Sequence, residues 1–369
     1  MRRLLKMDGV EREMASGVER GVYPGAILLV SKGREILFHR AYGVSNLFTG
    51  KAMGVDTVFD LASLTKPLST ALALMKLTEQ GSVTLETTLA SLLPEFEHTE
   101  KRAITIVQLL THQSGYPAYR PFYRTLCKLP FETRNVCLKS LLVAQPLSET
   151  PGRRTIYSDL GYLILQWVVE RMSGRPLDGF LQERVYGPLA VDSLFFPGRK
   201  GISPEESVAA TECCPRRNLM LSGRVHDDNA DVLGGVAGHA GLFGTARGVH
   251  QVLCHLLDTY LGRAESPVFR PDLVHLFCTP WGAGGRPPGF DRPEGTNSSA
   301  GRHFSENTVG HLGFTGTSFW MDLKREVIVV LLTNRVHPSR ANLAIRWFRP
   351  RLHDAVMEAV LSEKSRHQK

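Results

Sequence analysis

Apolar residues along the chain fall into two kinds of run, and their placement predicts strands near both ends with helices between. Near the start, Ala26–Val30 and Glu35–Arg40 flank Ser31-Lys32-Gly33-Arg34, which reads as a hairpin bounded by Gly25 and Gly43. From Pro67 the spacing changes. Leu68, Ala71, Leu72 and Met75 recur every three or four positions until Gly81, a helix whose proline sits in a first turn that needs no donor. Helical periodicity continues through Val107–Thr111, Leu138–Ala144 and Leu160–Met172, interrupted by turns rich in proline and glycine. Strand signal returns at Gly310–Asp322 and Val327–Thr333, joined by Leu323-Lys324-Arg325-Glu326.

Strands at both ends imply that the ends pair into one antiparallel sheet, with the helical middle inserted beside it. The predicted class is therefore α+β, an antiparallel β-sheet flanked by N- and C-terminal helices and joined to a mostly helical inserted domain. Residues 1–62 and 237–369 are assigned to the sheet domain and 63–236 to the helical one. An active site is expected at the seam, where pockets commonly form.

A length of 369 residues with 43% hydrophobic positions suits a folded enzyme of this kind. No apolar stretch approaches the roughly 20 residues of a membrane span. Met1-Arg2-Arg3-Leu4-Leu5-Lys6 lacks the apolar core and cleavage site of a secretory signal, so a cytoplasmic location is expected. The net charge is +8, and eight Lys/Arg against three Asp/Glu after Asn334 supply 8 − 3 = +5 of it. No aromatic-basic motif accompanies that excess, which reads as a solvated terminal helix; no nucleic-acid partner is expected. Cys127, Cys137, Cys213, Cys214, Cys254 and Cys278 have neither zinc spacing nor a disulfide framework, and reduced thiols are expected.

The candidate chemistry begins at Ser63-Leu64-Thr65-Lys66, at the mouth of the first helical run. A serine hydroxyl needs an adjacent base, and a helix puts position i+3 on the same face as i, so Lys66 can reach Ser63. The helix start also leaves backbone N–H groups free to bind an oxyanion. Alone, this tetrapeptide reads better as a capping serine followed by a solvated lysine. Tyr157-Ser158-Asp159 after a Gly152–Thr155 turn, and His311-Leu312-Gly313 in a strand entry, follow it in the order of a serine acyl-transfer site.

With these motifs the chain resembles the serine β-lactamase and penicillin-binding-protein superfamily, in the class C-like branch that includes family VIII carboxylesterases and D-aminopeptidases. The likeness spans nearly the whole chain: Gly25–Gly43, Phe59–Lys66, Ile104–Gly115, Pro151–Tyr162, Gly241–Ala246 and His311–Asp322. It implies Ser63 as nucleophile, with Lys66 and Tyr157 sharing proton transfer and either able to be the base. It implies an oxyanion hole from the N–H groups of Ser63 and Phe314, and Gly313 where substrate backbone approaches. Asp159 and His311 would contact substrate, and a serine mechanism needs no metal or cofactor.

Two departures bear on the substrate. His311-Leu312-Gly313 stands where many relatives carry Lys-Thr-Gly or Lys-Ser-Gly, and a mostly neutral histidine beside leucine anchors a carboxylate poorly. Asp159 replaces a frequent asparagine and offers only acceptors when ionised, unless it simply caps the helix from Leu160. These features favour a carboxylesterase acting on a small ester or amide, with weak β-lactamase activity alongside. A D-amino-acid amidase, aminopeptidase or muropeptide peptidase is the nearest alternative, and a non-catalytic binding scaffold of the same fold is the alternative of another class.

Three other regions invite attention. His226-Asp227-Asp228-Asn229 with His239 could suggest a metal, but the surrounding glycines read as a close-packed loop. Thr279–Ser299, with Trp281, Phe290 and Asp291, is either a wall of an acyl pocket or an inert connector. His112 and Asn334-Arg335-Val336-His337-Pro338 are assigned to structure.

Overall fold

The strongest apolar run, Val327–Thr333, is buried throughout its length, which requires cover on both faces. The computed structural model describes residues 7–203, 207–264, 268–282, 285–295 and 298–367. Its main sheet contains β1 (Gly25–Lys32), β2 (Glu35–Asn46), β3 (Lys51–Ala52), β4 (Thr308–Leu312), β5 (Ser318–Asp322) and β6 (Val327–Thr333). Their spatial order is β3-β2-β1-β6-β5-β4. β1 and β6 pair antiparallel from Ala26 opposite Thr333 to Lys32 opposite Val327, so the two ends of the chain do meet in one antiparallel sheet.

Alternation along these strands assigns each face. Ala26, Leu28, Val30, Val327, Val329 and Leu331 pack with Val10 and Met14 of α1 (Asp8–Glu19) and with Phe348, Leu352 and Val356 of α5 (Ile345–His367). The opposite face, with Ile27, Leu29, Ile328, Val330 and Leu332, joins the larger core built with α2 (Leu72–Glu79), α3 (Asp159–Ser173) and α4 (Ala246–Tyr260). Each aliphatic side chain fully buried in this way contributes about 1.5–3 kcal/mol.

Several local expectations are refined. The helix predicted from Pro67 belongs to a longer run: a 3-10 turn at Ala62–Leu64, a π-helical segment at Lys66–Ala71, then regular α2. Pro67 fits there because its missing N–H lies in the opening turn. The strand predicted over Gly310–Asp322 is two strands, β4 and β5, broken by a turn from Gly313 to Thr317. The helical middle also holds short strands at Leu194–Phe195, Cys213–Cys214 and Leu219–Met220, each too short to show periodicity. The main sheet has β4 at its edge, and the run from Ala62 lies against it.

Candidate active site

Ser63 sits in the 3-10 turn, directly after Ala62, whose backbone is left-handed at φ 48°. Such a conformation costs an L-residue roughly 1–2 kcal/mol, so neighbours must hold it. Asp60 does so: Oδ1 accepts from the Ala62 N–H at 2.9 Å and Oδ2 from the His226 N–H at 2.7 Å. The Thr65 hydroxyl donates to the Ala62 carbonyl at 2.6 Å.

Lys66 is fully buried and its ammonium has three acceptors for three protons. They are Ser63 Oγ at 3.0 Å, Asp159 Oδ1 at 2.7 Å and the His239 carbonyl at 3.3 Å. Burial works to lower its pKa, but the Asp159 carboxylate and then Tyr157 outweigh burial and lift it from 10.5 to about 12. Lys66 therefore rests as a cation that donates to Ser63. Asp159 occupies the first turn of α3, whose cap is Ser158: the Ser158 Oγ accepts from the Gly161 N–H at 3.3 Å.

Tyr157 is part-exposed, and the Lys66 ammonium lies 4.8 Å from its ring centroid. His112 holds it in place. The His112 carbonyl accepts from the Ile156 N–H at 2.8 Å, its Nδ1 accepts from the Ser158 N–H at 3.0 Å, and its ring lies 4.4 Å from that of Tyr157. Burial, reinforced by the Lys66 charge, holds His112 well below the ordinary histidine range, which matches a ring nitrogen that accepts. The structural assignment of His112 thus gains a specific content as the bracket around Tyr157.

The third segment is the Gly313–Thr317 turn, closed by Gly316 N–H donating to the Gly313 carbonyl at 3.1 Å. It is tied to the Ser63 segment by two hydroxyls: Thr315 donates to the Asp60 carbonyl at 2.8 Å and Thr317 to the Leu61 carbonyl at 3.1 Å. A Cβ on Gly313 would lie 2.0 Å from Thr317 Oγ1 and 2.7 Å from the Leu61 oxygen. A side chain at 313 would therefore collide with the chain's own Thr317 and Leu61. Neither the Ser63 nor the Phe314 N–H has a backbone acceptor among the described turn, loop and cap hydrogen bonds. His311 is buried, and its Nδ1 donates to the Leu312 carbonyl at 2.9 Å. Burial, then the Lys66 charge, keeps it neutral.

Two cavities meet at Ser63, Tyr157 and Phe314. One, of about 320 Å³, is also lined by His311, Asp291, Arg335, Arg346 and Arg349. The other, of about 480 Å³, is lined by Asp159, Asp227, Asp228, His226 and His239. In the second, Asp227 pairs with His239, Asp228 with Arg216 and Arg217, and His226 with Glu212, so these side chains are engaged with one another and with arginines. Among the described residues of the 279–299 segment, Asp291 alone lines the first cavity; Phe290 is buried in the core against Phe319.

All seven predicted positions lie around this junction. Residues that sequence reasoning did not place here include Arg335, Arg346, Arg349 and the carbonyl of His239, while Asp291 comes from the segment read as a pocket wall or a connector. Arg335 had been read as structural, and the charge excess after Asn334, read as solvated surface, was the signal that pointed to the arginines.

Residues 10–349 match the model of the Beta-lactamase family. The chain is 33% identical to the "N-acetylmuramyl-L-alanine amidase" of Bacillus subtilis (strain 168), over 91% of this chain and 82% of that protein. It is 30% identical to the "Putative D-alanyl-D-alanine carboxypeptidase" of Escherichia coli (strain K12), over 91% and 84%. Among solved structures, EstCE1, described as a hydrolase with promiscuous acyltransferase activity, aligns with a TM-score of 0.75 at 22% identity over 95% of this chain and 98% of that one. The octameric penicillin-binding protein homologue from Pyrococcus abyssi aligns with a TM-score of 0.71 at 18% identity, over 92% and 76%.

Proposed function

Since this chain belongs to the Beta-lactamase family and is a serine hydrolase of that fold, we propose that it forms an acyl-enzyme at Ser63 from small, carboxylate-bearing amides or esters. The observation that carries the reading is Lys66, saturated by Ser63, Asp159 and the His239 carbonyl. Because Lys66 already holds three protons, the group assigned to take the Ser63 proton is the Tyr157 oxygen, beside the Lys66 ammonium. The Ser63 Oγ bonds to the substrate carbonyl carbon while the carbonyl electron pair moves to oxygen, facing the N–H groups of Ser63 and Phe314. Collapse expels the amine or alcohol, which receives the proton from Tyr157. Water then attacks the ester, giving its proton to Tyr157, and the Ser63 oxygen recovers one as the acid leaves.

Arg346 favours a negatively charged substrate. It is exposed, lines the cavity beside Ser63, and no described carboxylate pairs with it. This supports amides of the amidase and muropeptide kind over simple carboxylic esters, in keeping with the names of the 33% and 30% identical relatives. The carboxylesterase reading, first on the sequence, becomes the second, supported by Ser63 lining both cavities.

The test is hydrolysis of a short-chain p-nitrophenyl ester, a D-amino-acid anilide, an N-acetylmuramyl-L-alanyl peptide and a chromogenic cephalosporin, with intact mass followed during turnover. An acyl adduct mapped to Ser63 is expected on the good substrates, with KM about tenfold lower when the carboxylate is free than when it is amidated. Turnover without an adduct, or an adduct elsewhere, overturns the nucleophile; no turnover and no adduct favours a binding scaffold.

Asp159→Asn separates the two candidate bases. Removing the carboxylate leaves Tyr157 as the remaining opponent of burial, so the Lys66 pKa falls. If Lys66 works as a cation, the alkaline limb of the kcat/KM profile moves to lower pH in the variant. A lowered acidic limb, with activity gained below neutrality, would instead identify Lys66 as the base.

A further inference from the structure

Behind the Gly313–Thr317 turn lie two arginines, Arg335 and Arg349, only 5% and 6% exposed. Buried guanidinium groups ordinarily meet carboxylates. Among the described residues, the hydrogen bonds of these two go to backbone carbonyls. Arg335 gives both Nε, at 2.9 Å, and Nη2 to the Phe314 carbonyl, and Nη1 to the carbonyls of Arg340 at 3.1 Å and Asn342 at 2.6 Å. Its guanidinium also lies 4.7 Å from the centroid of the Phe314 ring. Arg349 gives Nη2 to the carbonyls of Thr317 at 2.8 Å and Gly313 at 3.3 Å.

The Gly313 carbonyl and the Phe314 N–H are opposite ends of one planar peptide unit, and the Phe314 carbonyl begins the next. The two arginines thus grip both peptide planes that meet at Phe314. A cation at the carbonyl end of an amide polarises the whole unit and makes its N–H a stronger donor. The charges are poorly compensated. Burial, then the Arg335 charge, pulls Arg349 down to about 9, and burial, then Arg346, pulls Arg335 to about 10.

We infer that Arg335 and Arg349 are positioning residues for acyl transfer, locking the Gly313–Phe314 peptide so that its N–H faces the developing oxyanion, with positive charge behind it. This rests on the reading of Ser63 as nucleophile and of the Phe314 N–H as an oxyanion donor. Both guanidinium groups are committed to carbonyls, which separates them from Arg346, the exposed arginine that faces substrate.

The experiment compares wild type with Arg349→Met and Arg349→Lys, measuring kcat, KM, the affinity of a boronic acid that forms a tetrahedral adduct, and thermal stability. Losing a whole oxyanion donor costs about 100- to 1,000-fold in kcat, and loosening one costs less. Arg349→Met is expected to lower kcat about 10- to 100-fold with KM within about twofold, and to weaken the boronic acid in parallel with kcat/KM. Arg349→Lys, which keeps the charge, recovers part of the loss. A merely structural staple would lower the melting temperature and leave kcat of the folded fraction intact, which overturns the inference. So does a rise in KM for carboxylate substrates at constant kcat, which would make Arg349 a substrate anchor. If Arg349→Met does not fold, Arg335→Lys carries the same test, since one ammonium cannot span the carbonyls of Phe314, Arg340 and Asn342. Absence of any Ser63 adduct in wild type marks failure of the function reading, whereas a wild-type adduct with unchanged variants marks failure of the clamp alone.

Discussion

Ser63→Ala is expected to lower turnover by a factor on the order of 10⁶, as removal of a serine nucleophile does when its partners act as a unit. The fold should survive. Ser63 is part-exposed, its hydroxyl accepts one hydrogen bond from Lys66, and the left-handed Ala62 is held by Asp60 independently of the serine side chain. The variant keeps the Ser63 and Phe314 N–H groups, so substrate affinity should change little while the acyl adduct disappears from the mass spectrum. Residual turnover above about a thousandth of wild type would mean that a nucleophile other than Ser63 carries the reaction.

Lys66→Met is the second large effect, and it acts on both chemistry and stability. Loss of the cation removes the positive charge beside Tyr157 and the developing oxyanion, which on the scale of general acid–base contributions costs about 100- to 10,000-fold in kcat/KM. It also strands Asp159, whose carboxylate is only 21% exposed and loses its ion-pair partner. Breaking a buried pair in this way costs about 3–5 kcal/mol, at the lower end here because Asp159 keeps some water. The pH dependence has a definite sign. The folded value of about 12 lies above the ordinary 10.5, so the Lys66 contribution is complete below pH 10.5 and is lost as pH rises toward 12. Denaturant unfolding of wild type and Lys66→Met should therefore differ by a constant amount through neutrality and converge only in strong alkali. A difference that collapsed well below pH 10 would overturn the assignment of this stabilisation to the charged Lys66.

Part of this site was readable because its relations are local. Lys66 reaches Ser63 from three positions along one helical run, and such a relation follows from helical spacing whatever surrounds it. The long buried alternation at Ala26–Val30 and Val327–Thr333 likewise announces strands that need cover on both faces. The partner of Asp159 was not readable. The capping alternative fails, because Ser158 is the cap and Asp159 the first residue of α3, and the Asp159 carboxylate is committed to a lysine 93 positions away. The break between β4 and β5 escaped for the same reason. Gly313-Phe314-Thr315-Gly316-Thr317 turns there because Thr315 and Thr317 find the carbonyls of Asp60 and Leu61, and those acceptors arrive from the other end of the chain.

The sequence by itself therefore determined the main strands and helices, the pairing of the chain ends and the closeness of Lys66 to Ser63, since periodicity and short spacing act within one segment. Tertiary structure alone decided the charge state of Lys66, the neutrality of His311 and the placement of Arg335 and Arg349 behind Phe314. Protonation and donor orientation depend on burial and on charges within a few ångströms, and those neighbours are supplied by segments that only folding brings together.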